Sequence, residues 1–191
     1  MTCGRCGAPT LWPVERCREC AGRRLAFRSA RAAIAYVGAA RNLVSAWKEH
    51  GLRRAAVLAA ELVVESLEPP AADVITYIPP DPARLLLRGH HPAERLAREL
   101  AARWALPKAA LLVRAGTASS ARQAGLARAE RLSNVRGAFV AVAVAAAPRN
   151  VLLVDDVYTT GATVSAAASA LRRAGARQVD VVTFARTVRV E

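Results

Sequence analysis

The stretch Val151-Leu152-Leu153-Val154-Asp155-Asp156-Val157-Tyr158-Thr159-Thr160-Gly161-Ala162-Thr163 decides how this chain folds. Its apolar start, with no polar break, reads as a strand buried on both faces, the pattern of a parallel sheet covered by helices. Two adjacent carboxylates end it. A Thr/Gly run then opens an alanine-rich segment, Val164 to Arg173, that reads as a helix stopped by Gly175. The N–H groups of such a loop, a glycine that lets the backbone approach, and the positive end of the helix dipole all favour a phosphate. Neighbouring side chains alternate faces along a strand, so Asp155 and Asp156 both meet a ligand only where the chain turns. Paired carboxylates also repel a phosphate unless hydroxyls or a cation intervene. The expected ligand therefore carries phosphate, vicinal hydroxyls and Mg²⁺. A nucleoside-triphosphatase reading fails because no G-x-x-x-x-G-K-[ST] occurs in the chain.

Outward from that stretch, Ala32–Val37, Asp73–Ile78, Leu111–Val113, Ala138–Val144 and Val179–Ala185 read as further strands. Helices are expected at Arg41–His50, with Leu43 and Trp47 at i, i+4 spacing and Gly51 as the stop, and at Leu52–Leu67. Another starts near Pro92, with Leu96, Leu100 and Trp104 as its inner stripe, and a fourth covers Gln123–Leu132. Strands alternating with helices predict an α/β fold with a parallel sheet, ligands sitting at the C-terminal strand ends. The loops after Ile78, Val113 and Val154 then converge on one site. Pro79-Pro80-Asp81-Pro82 makes the first of these a stiff loop, with Arg84 and Arg88 beyond it. The basic Arg114–Arg122 segment reads as mobile.

The chain has 4 cysteines, in two C-x-x-C pairs, Cys3/Cys6 and Cys17/Cys20. Two such knuckles supply the thiolates of a closed tetrahedral Zn²⁺ site, structural because no coordination position stays open. Disulfides are the alternative, disfavoured where no secretion signal precedes the pairs. A metal-dependent ribbon over residues 1–27 presents Arg5, Arg16, Arg18, Arg23 and Arg24 to a partner. Residues 28–191 follow as a second domain, with a helical part at 28–70 and an α/β core at 71–191. No apolar run reaches membrane-spanning length, so the protein is expected in the cytoplasm, without membrane insertion. The net charge is +13, from 28 basic and 15 acidic residues. Such a field recruits polyanions, whether a pyrophosphorylated sugar or a nucleic-acid backbone.

The Val151–Thr163 pattern resembles the 5-phosphoribosyl-1-pyrophosphate (PRPP) loop of type I phosphoribosyltransferases. The resemblance implies that Asp155 and Asp156 hold the ribose 2′ and 3′ hydroxyls, while Thr159, Thr160, Gly161, Ala162 and Thr163 wrap the 5′-phosphate, with Val157 and Tyr158 between. With the cysteine pairs in front, the whole chain looks like the ComF family of competence-associated proteins, a zinc ribbon fused to a phosphoribosyltransferase-like domain. Tyr36, Arg41, Lys48 with Gly51, Arg88-Gly89, and the series Gln123, Arg131, Asn134, Gly137 and Phe139 carry that likeness. Two places depart from it: Ile78-Pro79-Pro80-Asp81 replaces a Val-Pro-Val-Pro-like run, and His90-His91-Pro92 replaces an aromatic, Asn and Gln. The resemblance implies Mg²⁺-PRPP binding and phosphoribosyl transfer, with Arg84 and Arg88 as candidates for stabilising the departing pyrophosphate. The segment from Arg114 to Gln123 would close over the site. A competing reading is a non-catalytic accessory that contacts single-stranded DNA or a competence helicase and uses the PRPP site for sensing or not at all.

Overall fold

The computed structural model describes residues 1–115, 137–143 and 147–188. Behind the cysteine module the elements run β1 (Ser29–Ala35), α1 (Gly38–His50), α2 (Arg53–Ser66), β2 (Val74–Tyr77), α3 (Pro82–Arg88) and α4 (Pro92–Arg103). They continue as β3 (Leu112–Arg114), β4 (Phe139–Ala141), β5 (Asn150–Tyr158), α5 (Ala162–Arg173) and β6 (Gln178–Arg186). Strands β1, β6, β5 and β2 lie side by side in that order, every pair parallel.

The two-faced burial expected of β5 follows from its alternation. Val151 and Leu153 pack with Ala167, Ala168 and Leu171 of α5, while Leu152 and Val154 pack with Trp47, Ala59 and Leu96 on the other face. The sheet is therefore covered by α5 on one side and by α1, α2 and α4 on the other. This is the α/β class that the sequence predicts, a parallel sheet with helices on both faces.

Three expectations change. The runs at 111–113 and 138–144 do not extend the parallel sheet. Their strands β3 and β4 pair antiparallel with each other as a separate two-stranded sheet. A short apolar run specifies an extended strand but not its partner. The first strand begins at Ser29 rather than Ala32 and takes a sheet edge beside β6, so residues 28–70 are not purely helical. The stiff loop after Ile78 also turns directly into α3. There the Asp81 carboxylate accepts from the N–H groups of Ala83 and Arg84, Pro82 sits at the first helical position, and Gly89 closes the helix at φ 64°. The expected Gln123–Leu132 helix and the segment beyond Ala115 lie outside the described residues. Among the described residues, no helix is long and apolar enough to cross a membrane.

The cysteine module is joined to the core. Cys3, Cys6, Ala8 and Cys20 share one buried cluster with Leu25, Phe27, Leu153, Tyr158 and the inner face of α5. On the opposite face Trp47, fully buried, anchors α1 and so fixes the direction of Lys48 beside it. Trp47→Ala is expected to lower unfolding free energy by about 3–5 kcal/mol through the cavity it leaves. Urea denaturation checks this, and a loss near zero would mean that α1 is not held by that side chain.

Candidate functional site

The acidic pair sits where β5 stops alternating. Tyr158, four residues after Val154, should share its face, yet it packs in the α5-side cluster while Val157 packs with the other. The face reverses across Asp155–Val157, which is the departure from strict alternation that lets neighbouring carboxylates serve one site. Around them, the N–H of Ile78 donates to Val154 O at 3.0 Å, bringing the end of β2 alongside. Arg114 Nε donates to Pro79 O at 3.1 Å, which ties the last residue of β3 to the segment after β2.

Lys48 Nζ lies 3.0 Å from Asp156 Oδ1 and is the direct cation of the pair. Asp155 is driven the other way. Burial and the neighbouring Asp156 carboxylate push its pKa up to about 8, against the opposing pull of the Asp156 N–H, Lys48 and Arg114. Asp155 thus holds a proton at neutral pH. Burial lowers the pKa of Arg114, with Asp81 and Asp155 acting in the opposite sense. His91 completes this edge, its ring against Tyr77 with centroids 5.3 Å apart. Burial lowers its pKa even though Glu94, the Ile78 backbone and Asp156 favour the charged form.

The Thr/Gly loop is held from behind. Arg23 Nη2 of the cysteine module donates to Thr160 O at 2.7 Å, and Thr187 Oγ1 donates to Thr159 O at 3.3 Å. In a planar trans peptide the N–H points opposite its carbonyl. The N–H groups of Thr160 and Gly161 therefore face away from those anchors, at the start of α5, as an anion cradle requires. Gly161 has φ 73°, and a Cβ there would lie 2.2 Å from the Tyr158 hydroxyl oxygen. The residue must be glycine because Tyr158 is packed beneath it, a reason distinct from ligand approach. Tyr158 is buried, stands edge-on to Phe27, and carries the Arg186 guanidinium 5.0 Å from its ring centroid.

The four sulfurs converge. Cys3–Cys20, Cys6–Cys17 and Cys17–Cys20 Sγ separations are 3.6, 3.5 and 3.9 Å. A tetrahedron with Zn–S bonds of about 2.3 Å has S···S edges of about 3.8 Å, so this donor set fits a metal such as zinc. Burial opposes ionisation of Cys3, but backbone N–H groups of Cys6, Arg5 and Cys17 aimed at its sulfur outweigh that and bring its pKa down to about 6. The sulfur is thereby prepared as a thiolate ligand.

Of the sequence candidates, Asp155, Asp156 and Thr159 to Thr163 form one surface, and Cys3, Cys6, Cys17 and Cys20 another behind it. Arg84 lies exposed on α3, and Arg88 Nη2 is paired with Glu49 at 2.7 Å. Lys48 and His91, read from the sequence only as part of the family pattern and its departure, and Arg114, read as the start of a closing segment, also lie at this edge. Lys48 follows a buried tryptophan on α1, and nothing local in the sequence ties it to a carboxylate in β5.

No family model matches the chain. It is 27% identical over 194 residues to Competence protein F of Haemophilus influenzae, covering 96% of this chain and 84% of that protein. The likeness to ComF-type proteins read from the sequence is thus borne out over nearly the whole length. Among solved structures, the allosteric regulatory enzyme of purine biosynthesis aligns at 26% identity and TM-score 0.43, over 67% of this chain but only 24% of that longer one. TT1426 from Thermus thermophilus aligns at 24% identity and TM-score 0.37, over 73% and 84% of the two chains.

The charge state of Asp155 has a measurable sign. Its folded pKa of about 8 exceeds the unfolded value of 3.8, so the unfolded chain ionises first as pH rises. The stability that Asp155 contributes is then full in acid and lost between about pH 4 and 8. Asp155→Asn removes the effect. The melting temperature of the variant, relative to the parent, should rise from pH 5 to 8 and then level off. Parallel melting curves across that range would show that Asp155 is not protonated in the fold.

Proposed function

We propose that this chain is a ComF-type competence protein whose phosphoribosyltransferase-like domain binds Mg²⁺-PRPP. The observation that carries the reading is the pairing of Asp155 and Asp156 with a loop whose Thr160 and Gly161 N–H groups face away from the anchors on its carbonyls. Asp155 and Asp156 would hold the ribose 2′ and 3′ hydroxyls, and Thr159 to Thr163 the 5′-phosphate. Mg²⁺ belongs to the diphosphate of the ligand, because Asp156 already has Lys48 as its cation. In transfer, a nucleophile attacks ribose C1 as pyrophosphate leaves through an oxocarbenium-like state. Arg84, Arg88 and Arg114 supply positive charge near that leaving group, so the rate gain is electrostatic and positional. The module at 1–27 holds Zn²⁺ through Cys3, Cys6, Cys17 and Cys20, ahead of a catalytic-type domain at 28–191. Thiolate ligands of this kind suit a reducing compartment such as the cytoplasm, the location proposed for the protein.

Exposed Trp12, in the same module as exposed Arg16 and Arg18, favours a second role beside this one. An aromatic platform among arginines suits single-stranded DNA or a DNA-handling partner of the competence machinery.

Two measurements test the proposal. Changing Asp155 and Asp156 together to Asn should weaken PRPP at least tenfold in calorimetry, from loss of the charged hydrogen bond of Asp156, worth about 1.5–3 kcal/mol, with the neutral bond of Asp155 adding to it. Unchanged affinity removes the hydroxyl-clamp assignment. Metal analysis of protein purified without chelators should return one zinc per chain, lost in the Cys3→Ser/Cys20→Ser variant; a zinc-free protein would end the metal assignment.

A further inference from the structure

We infer that the seam between residues 22–28 and α5, which adjoins the phosphate loop at Ala162, is a second anion site for a ligand carrying linked phosphate groups. Two cavities, of about 620 and 790 Å³, lie along this seam and share Leu25, Ala26, Ser169 and Arg173. The two adjoin along these four residues and are taken together as the groove. The first is lined by Arg5, Arg28, Arg172, Arg173 and Arg177, the second by Arg23, Arg24 and again Arg173. Among the described residues, no carboxylate lines either one.

Their partners explain only part of this concentration. Asp180, outside the groove lining, takes Arg28 in a fork of 3.0 and 2.8 Å. Arg23 is turned to Thr160 O, and Arg173 Nη1 donates to Ser169 Oγ at 2.8 Å. Arg5 Nη2 donates to Leu25 O at 2.7 Å, but its Nε is buried with no partner. Among the described residues, the side chains of Arg24, Arg172 and Arg177 meet no hydrogen-bond or carboxylate partner. Cations in the last turn of α5 complement its dipole, which accounts for Arg172 and Arg173. It does not account for Arg5, Arg23 and Arg24 arriving from the ribbon and Arg177 from the loop before β6, with no carboxylate in the lining among the described residues. Gathering guanidinium groups this way costs repulsion, which a polyanion reverses; their planar forks match phosphate oxygens.

The shape selects the ligand further. The groove spans from Arg173 at the C-terminal end of α5 to Ala162 at its start, 12 residues and so about 18 Å. One isolated phosphate does not span that; a chain of them does. Phe27, the aromatic residue of the lining, is 1% exposed, so no ring is offered for base stacking. The site reads phosphates, whether of a free oligophosphate or of a single-stranded nucleic-acid backbone. This inference does not depend on the PRPP reading, because the cradle N–H groups and the acidic pair are not part of the groove.

The test uses zinc-loaded, full-length protein and two probes, tripolyphosphate and a fluorescent oligothymidylate, with PRPP as an internal reference. Arg172→Ala/Arg177→Ala removes two exposed side chains from the groove. Arg54→Ala/Arg98→Ala removes the same charge from exposed positions on α2 and α4, across the sheet. At least one probe should bind, weaken tenfold or more in the groove variant, and change less than twofold in the control, with PRPP affinity unaltered. For the oligothymidylate, the slope of log affinity against log salt should fall by about 0.7 for each phosphate that the variant no longer neutralises. Groove-dependent binding of tripolyphosphate alone identifies a free oligophosphate, and of oligothymidylate alone a nucleic-acid strand. Equal weakening in both variants would reduce the seam to diffuse charge, and no binding of either probe at low salt would overturn the site.

Discussion

The guanidinium of Arg186 joins the two halves of this protein. It is 4% exposed, donates to the Cys6 carbonyl, pairs with Glu19 at 2.9 Å and lies over the Tyr158 ring. A buried charge costs several kcal/mol unless it is matched by an opposite charge and hydrogen bonds. Here the cysteine module supplies both. Tyr158, covered in this way, in turn occupies the space that any side chain at position 161 would need. A line of contacts therefore runs from the thiol knuckles through Arg186 and Tyr158 to the Thr/Gly loop, and Arg23 adds a direct bond to that loop at Thr160. The module is a buttress for the candidate site, so whatever loosens the knuckles should loosen the loop as well.

At the front of the loop the two carboxylates are neutralised in different ways. Asp156 has its cation in Lys48, and Asp155 is neutral because burial makes a second charge there too costly. A bare pair of carboxylates would repel a phosphorylated ligand; one neutralised by a lysine and a proton does not. Asp81 supports the charge of Arg114 against burial.

What could be read from the sequence was local and periodic. The β5–loop–α5 unit declared itself because an apolar run, an acidic pair and a Gly-opened helix are adjacent in the chain. The cysteine pairs did so because ligand spacing is itself local. The α3 helix carried a legible signature, Asp81 before Pro82 and Gly89 after Arg88, which the density of prolines obscured. The antiparallel pairing of β3 with β4 was not legible, since nothing in Leu112–Arg114 or Phe139–Ala141 distinguishes a partner across an intervening segment. Nor were the Lys48–Asp156 pair and the Arg186–Cys6 contact, each of which is made only when distant elements pack. Sequence alone assigns Gly161 a ligand-facing reason, where packing supplies one from behind.

The departure at His90-His91-Pro92 is compensated within the fold. The two ring nitrogens of His90 meet Trp47 O at 2.6 Å and Arg88 O at 2.8 Å, so the residue clamps the last turn of α1 to the end of α3. Pro92 then starts α4 at the position where a missing N–H costs nothing. His91, between them, is left facing Tyr77 at the site. An asparagine and a glutamine in their place would present amides to a ligand. These residues instead use two positions to hold α1, and with it Lys48, against the acidic pair.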